Sequence, residues 1–121
     1  MEYWIGAMVF TPDAKMLITG SRDNTIRFFE MPTMNELRVV RGHNGWVRSL
    51  VVSPDGKVLI SAGDDNTIRF WDIATGRNFR TDKTHGGAVR GIALSPDGLR
   101  LASASWDRTV KLWEGGVEAA E

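Results

Sequence analysis

The stretch Ser53-Pro54-Asp55-Gly56-Lys57-Val58-Leu59-Ile60-Ser61-Ala62-Gly63-Asp64-Asp65-Asn66-Thr67-Ile68-Arg69-Phe70-Trp71-Asp72 decides the fold. Its apolar runs at 58–62 and 67–71 have strand length and favour β-branched and aromatic residues. A Pro-Asp-Gly turn precedes the first run and an Asp-Asp-Asn turn separates the two, so the segment reads as a hairpin. Moving outward adds a further apolar run at 46–52 and an Ala74-Thr75-Gly76 turn after Asp72. Strands joined in sequence by short turns make an antiparallel meander.

The same stretch occurs three times. Pro12, Pro54 and Pro96 are 42 residues apart, as are Asp23, Asp65 and Asp107, and Thr25, Thr67 and Thr109. Thr11-Pro12-Asp13-Ala14 matches Ser53-Pro54-Asp55-Gly56 and Ser95-Pro96-Asp97-Gly98. Ile26-Arg27-Phe28-Phe29-Glu30 matches Ile68-Arg69-Phe70-Trp71-Asp72 and Val110-Lys111-Leu112-Trp113-Glu114. A fixed period between about 20 and 50 residues marks solenoids, propellers or arrays. Leu50-Val51-Val52 and Val58-Leu59-Ile60 are apolar without alternation, which predicts strands covered on both faces and sheets sandwiched between other sheets. No segment carries a sustained helical period, so the predicted class is all-β. The tail at 115–121 reads as frayed.

Fifteen Lys and Arg balance fifteen Asp and Glu, so no net field gathers nucleic acid or an anionic membrane, and neither is an expected partner. The chain has no cysteine, which excludes disulfides, thiolate nucleophiles and cysteine-ligated metals. Its start, Met1-Glu2-Tyr3-Trp4, is acidic where a signal peptide would be basic, and no apolar run approaches the roughly 18 residues of a spanning helix. The expectation is a soluble chain in the cytoplasm or another intracellular compartment.

The period, the Gly42-His43 pair that opens a repeat and the Trp71-Asp72 pair that closes it resemble the WD-repeat family. Thr84-His85 with Trp113-Glu114 repeats the signature with two changes, and the first repeat ends Phe29-Glu30. The resemblance implies three four-stranded propeller blades: residues 1–42, 43–84 and 85–121. It also implies a hydrogen-bonded tetrad of His43, Ser61, Asp65 and Trp71 in the second blade and of His85, Ser103, Asp107 and Trp113 in the third. The first blade keeps Thr19 and Asp23 but has Met1 and Phe29 in the His and Trp places, so its network is expected to be absent or water-filled. Runs at 37–41 and 79–83 supply outer strands for the first two blades, whereas nothing after Glu114 supplies one for the third, which predicts an unpaired edge there.

Rings of this kind close with about 4 to 8 blades, so three blades form an open arc. Its two end faces would be apolar surfaces of about 500 Å² each, worth on the order of 10 kcal/mol gross when buried. Head-to-tail association with copies of itself is the expected remedy, a homodimer giving six blades being favoured over a homotrimer giving nine. The boundaries also read as those of a fragment of a longer adaptor in a multiprotein complex, or of a piece engineered to assemble.

His43, Ser61 and Asp65 have the residue types of a hydrolase triad, but the trio recurs at His85, Ser103 and Asp107, and a structural network repeats with its blade where an active site is unique. No catalytic residue is therefore expected. Two histidines in separate blades do not make a metal site, and Gly63-Asp64-Asp65-Asn66 reads as a hairpin turn in place of a calcium loop. With no phosphate-binding glycine loop either, neither metal nor cofactor is expected.

The resemblance places a ligand face around the channel mouth, in three columns of the repeat. Trp4, Trp46 and Ala88 precede the opening residue of the first strand; Gly6, Arg48 and Arg90 follow it; Arg22, Asp64 and Trp106 precede the turn aspartate. Exposed Trp and Arg are enriched in binding hot spots, so Trp4, Trp46, Arg48, Arg90, Arg22, Asp64 and Trp106 are candidates to contact proteins or peptides. The bland alternative is that the tryptophans cover blade seams and the arginines pair with local acids. Arg27, Arg69 and Lys111 alternate with apolar residues and are expected along blade edges, solvated or salt-bridged.

Overall fold

A computed structural model describes residues 4–83 and 85–114. The first sheet is β1 (Ile5–Phe10), β2 (Met16–Ser21), β3 (Thr25–Glu30) and β4 (Glu36–Arg41). The second is β5 (Val47–Val52), β6 (Val58–Gly63), β7 (Ile68–Asp72) and β8 (Asn78–Asp82). The third is β9 (Val89–Leu94), β10 (Arg100–Ser105) and β11 (Val110–Glu114). Each is an antiparallel meander with its strands in sequence order, and among the described residues β11 pairs with β10 alone. The tail at 115–121, with Met1 and Thr84, lies outside the described residues.

The sheets stack by their innermost strands. β1 and β2 pack on β5, and β5 and β6 pack on β9, so the first strands lie side by side as the inner edge of a fan. Each sheet has a trailing face turned to the next sheet and a leading face turned to the one before. Ile18, Ile26 and Phe28 on the first trailing face meet Leu50, Leu59 and Trp71 on the second leading face. Ile60, Ile68 and Phe70 on the second trailing face meet Leu101 and Trp113 on the third leading face. The run Leu50-Val51-Val52 is apolar throughout because Leu50 and Val52 join the first seam and Val51 the second. Gly20 admits the Val47 side chain, since a Cβ there would stand 2.3 Å from Val47 Cγ1.

The outermost faces have no such cover among the described residues. Met8 and Phe10 on the first leading face are 60% and 54% exposed, and Val110 and Leu112 on the third trailing face are 75% and 63% exposed.

Of the two expected roles, solvated or salt-bridged, Arg27 and Arg69 take the second. Their side chains are only 19% and 13% exposed, because each shares the leading face with the tetrad positions, Arg27 opposite Thr19 and Arg69 opposite Ser61. Arg27 bonds Glu36 at 2.7 Å, and Arg69 bonds Asn78 at 3.2 Å and lies 3.9 Å from Asp65.

Candidate functional site: two buried tetrads and a ladder across the blades

The turn between the second and third strands of each sheet is tied by its aspartate. Asp65 Oδ1 accepts the Thr67 amide at 3.2 Å and the Thr67 hydroxyl at 2.8 Å, which leaves the carboxylate aimed at His43. The His43 Nδ1–H donates to Asp65 at 3.0 Å, and Nε2 accepts from the Ser61 hydroxyl at 2.7 Å. Ser61 Oγ in turn accepts the Trp71 indole N–H at 2.8 Å. An ionised carboxylate only accepts and an indole only donates, so with a neutral imidazole the proton order along this chain has one consistent solution. Burial alone would raise the Asp65 carboxyl, but hydrogen bonds from His43, the Asn44 amide and Thr67 hold it well below the ordinary aspartate range.

The third blade repeats the arrangement. His85 Nδ1 lies 3.0 Å from Asp107, Nε2 lies 2.7 Å from Ser103, and Trp113 Nε1 donates to Ser103 at 3.2 Å. A hydrogen bond from Thr109 is the main influence that keeps Asp107 ionised to low pH; burial opposes it, and bonds from His85 and the Gly86 amide add to it. The structure thus brings each set of four side chains together, with the serines fully enclosed beneath their neighbours.

The first blade differs as its residues require. Phe29 has no N–H to offer, and the Thr19 hydroxyl is buried without a partner among the described residues. Asp23, lacking a histidine, is held by Ser21, Thr25 and Arg27; burial opposes them, yet they bring its carboxyl down to about 2.

The other candidates come together on one surface at the start of the inner strands. Each of these strands has a β-bulge in the same place, shown by register shifts between Ile5 and Ala7, Val47 and Ser49, and Val89 and Gly91. The extra residue is Gly6, Arg48 or Arg90, and a bulge re-aims the side chain it carries. The backbone sets the other two columns side by side: the amides of Arg22, Asp64 and Trp106 donate to the carbonyls of Trp4, Trp46 and Ala88, each at 2.9 Å.

From this scaffold all seven candidates form one ladder. The Arg22 guanidinium lies 4.7 Å from the Trp4 ring centre and 5.4 Å from that of Trp46. Arg48 stacks on the Trp46 ring at 3.7 Å and grips Asp64 through two nitrogens at 3.0 Å. Asp64 is shared with Arg90 at 3.8 Å, and Arg90 stacks on Trp106 at 4.0 Å. Gly6 interrupts the arginine column because Trp46 covers it: a Cβ there would lie 2.3 Å from the Val47 carbonyl and 2.8 Å from Trp46 Nε1. Trp4 and Trp106, at the two ends, are 65% and 69% exposed.

One seam contact escaped the sequence reading. Arg38 on β4 reaches from the first sheet to the second, donating to the carbonyls of Ile73 at 2.8 Å and Ala74 at 3.1 Å. The same residue type recurs one repeat later: Arg38 lies over Phe28 and, 42 residues on, Arg80 lies over Phe70. Among the described residues no cluster of three or more His, Cys, Asp or Glu side chains has metal-binding geometry, and no helix is long and apolar enough to cross a membrane.

Three meandering sheets fanned about their first strands, two carrying the same buried tetrad, define the class: blades of a β-propeller. The model of the WD domain, G-beta repeat, matches residues 2–30, 34–72 and 76–114, and the chain belongs to this WD40 family. Solved structures agree. The structure of U3-55K superposes with a TM-score of 0.89 at 28% identity, over 94% of this chain and 37% of that one. The crystal structure of RRP9 WD40 repeats gives a TM-score of 0.89 at 28% identity, over 94% and 36%. The chain therefore spans little more than a third of the solved chains it matches.

Proposed function

We propose that this chain is a non-catalytic interaction module that joins head to tail with a second copy into a six-bladed ring, presenting its Trp-Arg ladder to proteins or peptides at the channel mouth. The observation that carries this reading is the pair of uncovered end faces. Met8 and Phe10 stand exposed on the leading face, and Val110 and Leu112 stand exposed on the trailing face beside the small side chains of Ala93, Ala102 and Ala104. Apolar side chains exposed together on one face mark an association surface. A heterologous contact closes when its rotation divides a full turn. The tetrads serve as blade struts in this reading, because Ser61 and Ser103 lie where no substrate reaches them.

Light scattering coupled to size-exclusion chromatography at micromolar concentration tests the assembly. Twice the chain mass of 13.4 kDa is expected; three times that mass replaces the six-bladed ring with a nine-bladed one, and a folded monomer overturns the reading. The limited span over its solved relatives supports a second reading, in which the three blades are part of a longer WD-repeat adaptor within a multiprotein complex. Further blades supplied in trans would then displace self-association.

A further inference from the structure

The ladder has a rule for crossing from one blade to the next. The residue preceding the turn aspartate reaches forward to the opening of the following inner strand. At the first seam Arg22 reaches Trp46 by stacking at 5.4 Å. At the second seam Asp64 reaches Arg90 by an ion pair at 3.8 Å. The third residue of this column is Trp106, and the next inner strand it would meet is the one opened by Trp4 of another copy.

We infer that Trp106 of one copy stacks on Trp4 of the next, closing the ladder into an unbroken circle and locking the seam between copies. This rests on the head-to-tail reading above and goes beyond it, since the apolar sheet faces alone could hold the copies together. Three observations converge on the pair. Trp4 and Trp106 sit at opposite ends of the ladder, 65% and 69% exposed, while Trp46 between them is half-buried at an internal seam. Each already has a guanidinium on one side, Arg22 at 4.7 Å and Arg90 at 4.0 Å, so an indole added to the other side extends an existing stack. The bulge column has no side chain at Gly6, so Trp4 lacks the stacked guanidinium that Arg48 lays on Trp46. Offset or edge-to-face indole pairs are favourable beyond the area they bury.

The test is a double-mutant cycle on association, read by sedimentation equilibrium with far-ultraviolet circular dichroism as the check on folding. Trp4→Ala and Trp106→Ala are each expected to weaken association about tenfold, a loss of ~1.4 kcal/mol. The double variant is expected to be no weaker than either single one, because both remove the same contact. Trp106→Phe should restore most of the affinity. The paired indoles should also give an exciton couplet near 230 nm that disappears in either single variant and on dilution to monomer. An associating wild-type chain whose Trp4→Ala and Trp106→Ala variants associate equally well, or whose losses add, overturns this inference and leaves the ring standing. A monomeric wild-type chain overturns both.

Discussion

Ser61 and Thr19 hold the same place in successive repeats under opposite conditions. Ser61 links Trp71 to His43, whereas the Thr19 hydroxyl is buried with no partner among the described residues. Removing a bonded hydroxyl strands the groups around it, so Ser61→Ala should lower the unfolding free energy in urea by about 1–3 kcal/mol. Thr19→Val removes an unpaired hydroxyl at constant shape and should be neutral or stabilising by up to about 1 kcal/mol in the same measurement. Protons act here too. Because Asp65 is held below the ordinary value of 3.8, its contribution is complete above that value and is lost as pH falls further. Denaturant midpoints measured from pH 7 down to pH 3 should therefore be flat at first and fall below about pH 4, and the fall should be shallower in Asp65→Asn. The residue types of the tetrads were legible at sequence level through the family signature. The partners of Arg48 and Arg90 were open there, because a shared Asp64 depends on two bulges in neighbouring sheets.

The strands themselves were readable from apolar runs and turn residues, and their turns show why. Ser53 Oγ donates to Asp55 at 2.6 Å, Asp55 accepts the Lys57 amide at 3.0 Å, and Gly56 takes a φ of +74°. Gly98 repeats that φ, with Pro54 packed so close that a Cβ would approach it to 2.9 Å. The first blade puts Ala14 in this place at a φ of +60°, which costs a side-chain-bearing residue roughly 1–2 kcal/mol. Ala14→Gly recovers part of that cost, offset by the entropy of glycine in the unfolded chain, and should raise the melting temperature by a few degrees. The outer strands hid more. Arg38 and its carbonyl partners at Ile73 and Ala74 lie 35 and 36 residues apart, so no local pattern announces them. Arg27 and Arg69 alternate with apolar neighbours as exposed strand residues do, yet ion pairs with Glu36 and Asp65 hold their side chains down at 19% and 13% exposure.

At the level of the whole chain, an unbroken period of 42 residues carried the count of sheets and their stacking, since each repeat builds the same meander and each meander needs covering on both faces. The period says nothing of the angle between successive sheets, which is set by seam side chains and decides how many copies close a circle. A charge on the trailing face tests the seam directly. Leu112→Glu, at a position 63% exposed, should leave the chain folded and shift it to monomer in light scattering, because an unpaired carboxylate would be buried on association. The constant facing of the sheets, tetrad side always toward the preceding blade, gives the stack a polarity of the kind that distinguishes the two tips of a cytoskeletal filament. On the head-to-tail reading, a copy blocked on its trailing face alone still offers its leading one, so it should dock behind one wild-type copy while nothing docks behind it. Mixed with wild type, such a chain should leave the ring open, and a variant blocked on the leading face should do the same from the other end.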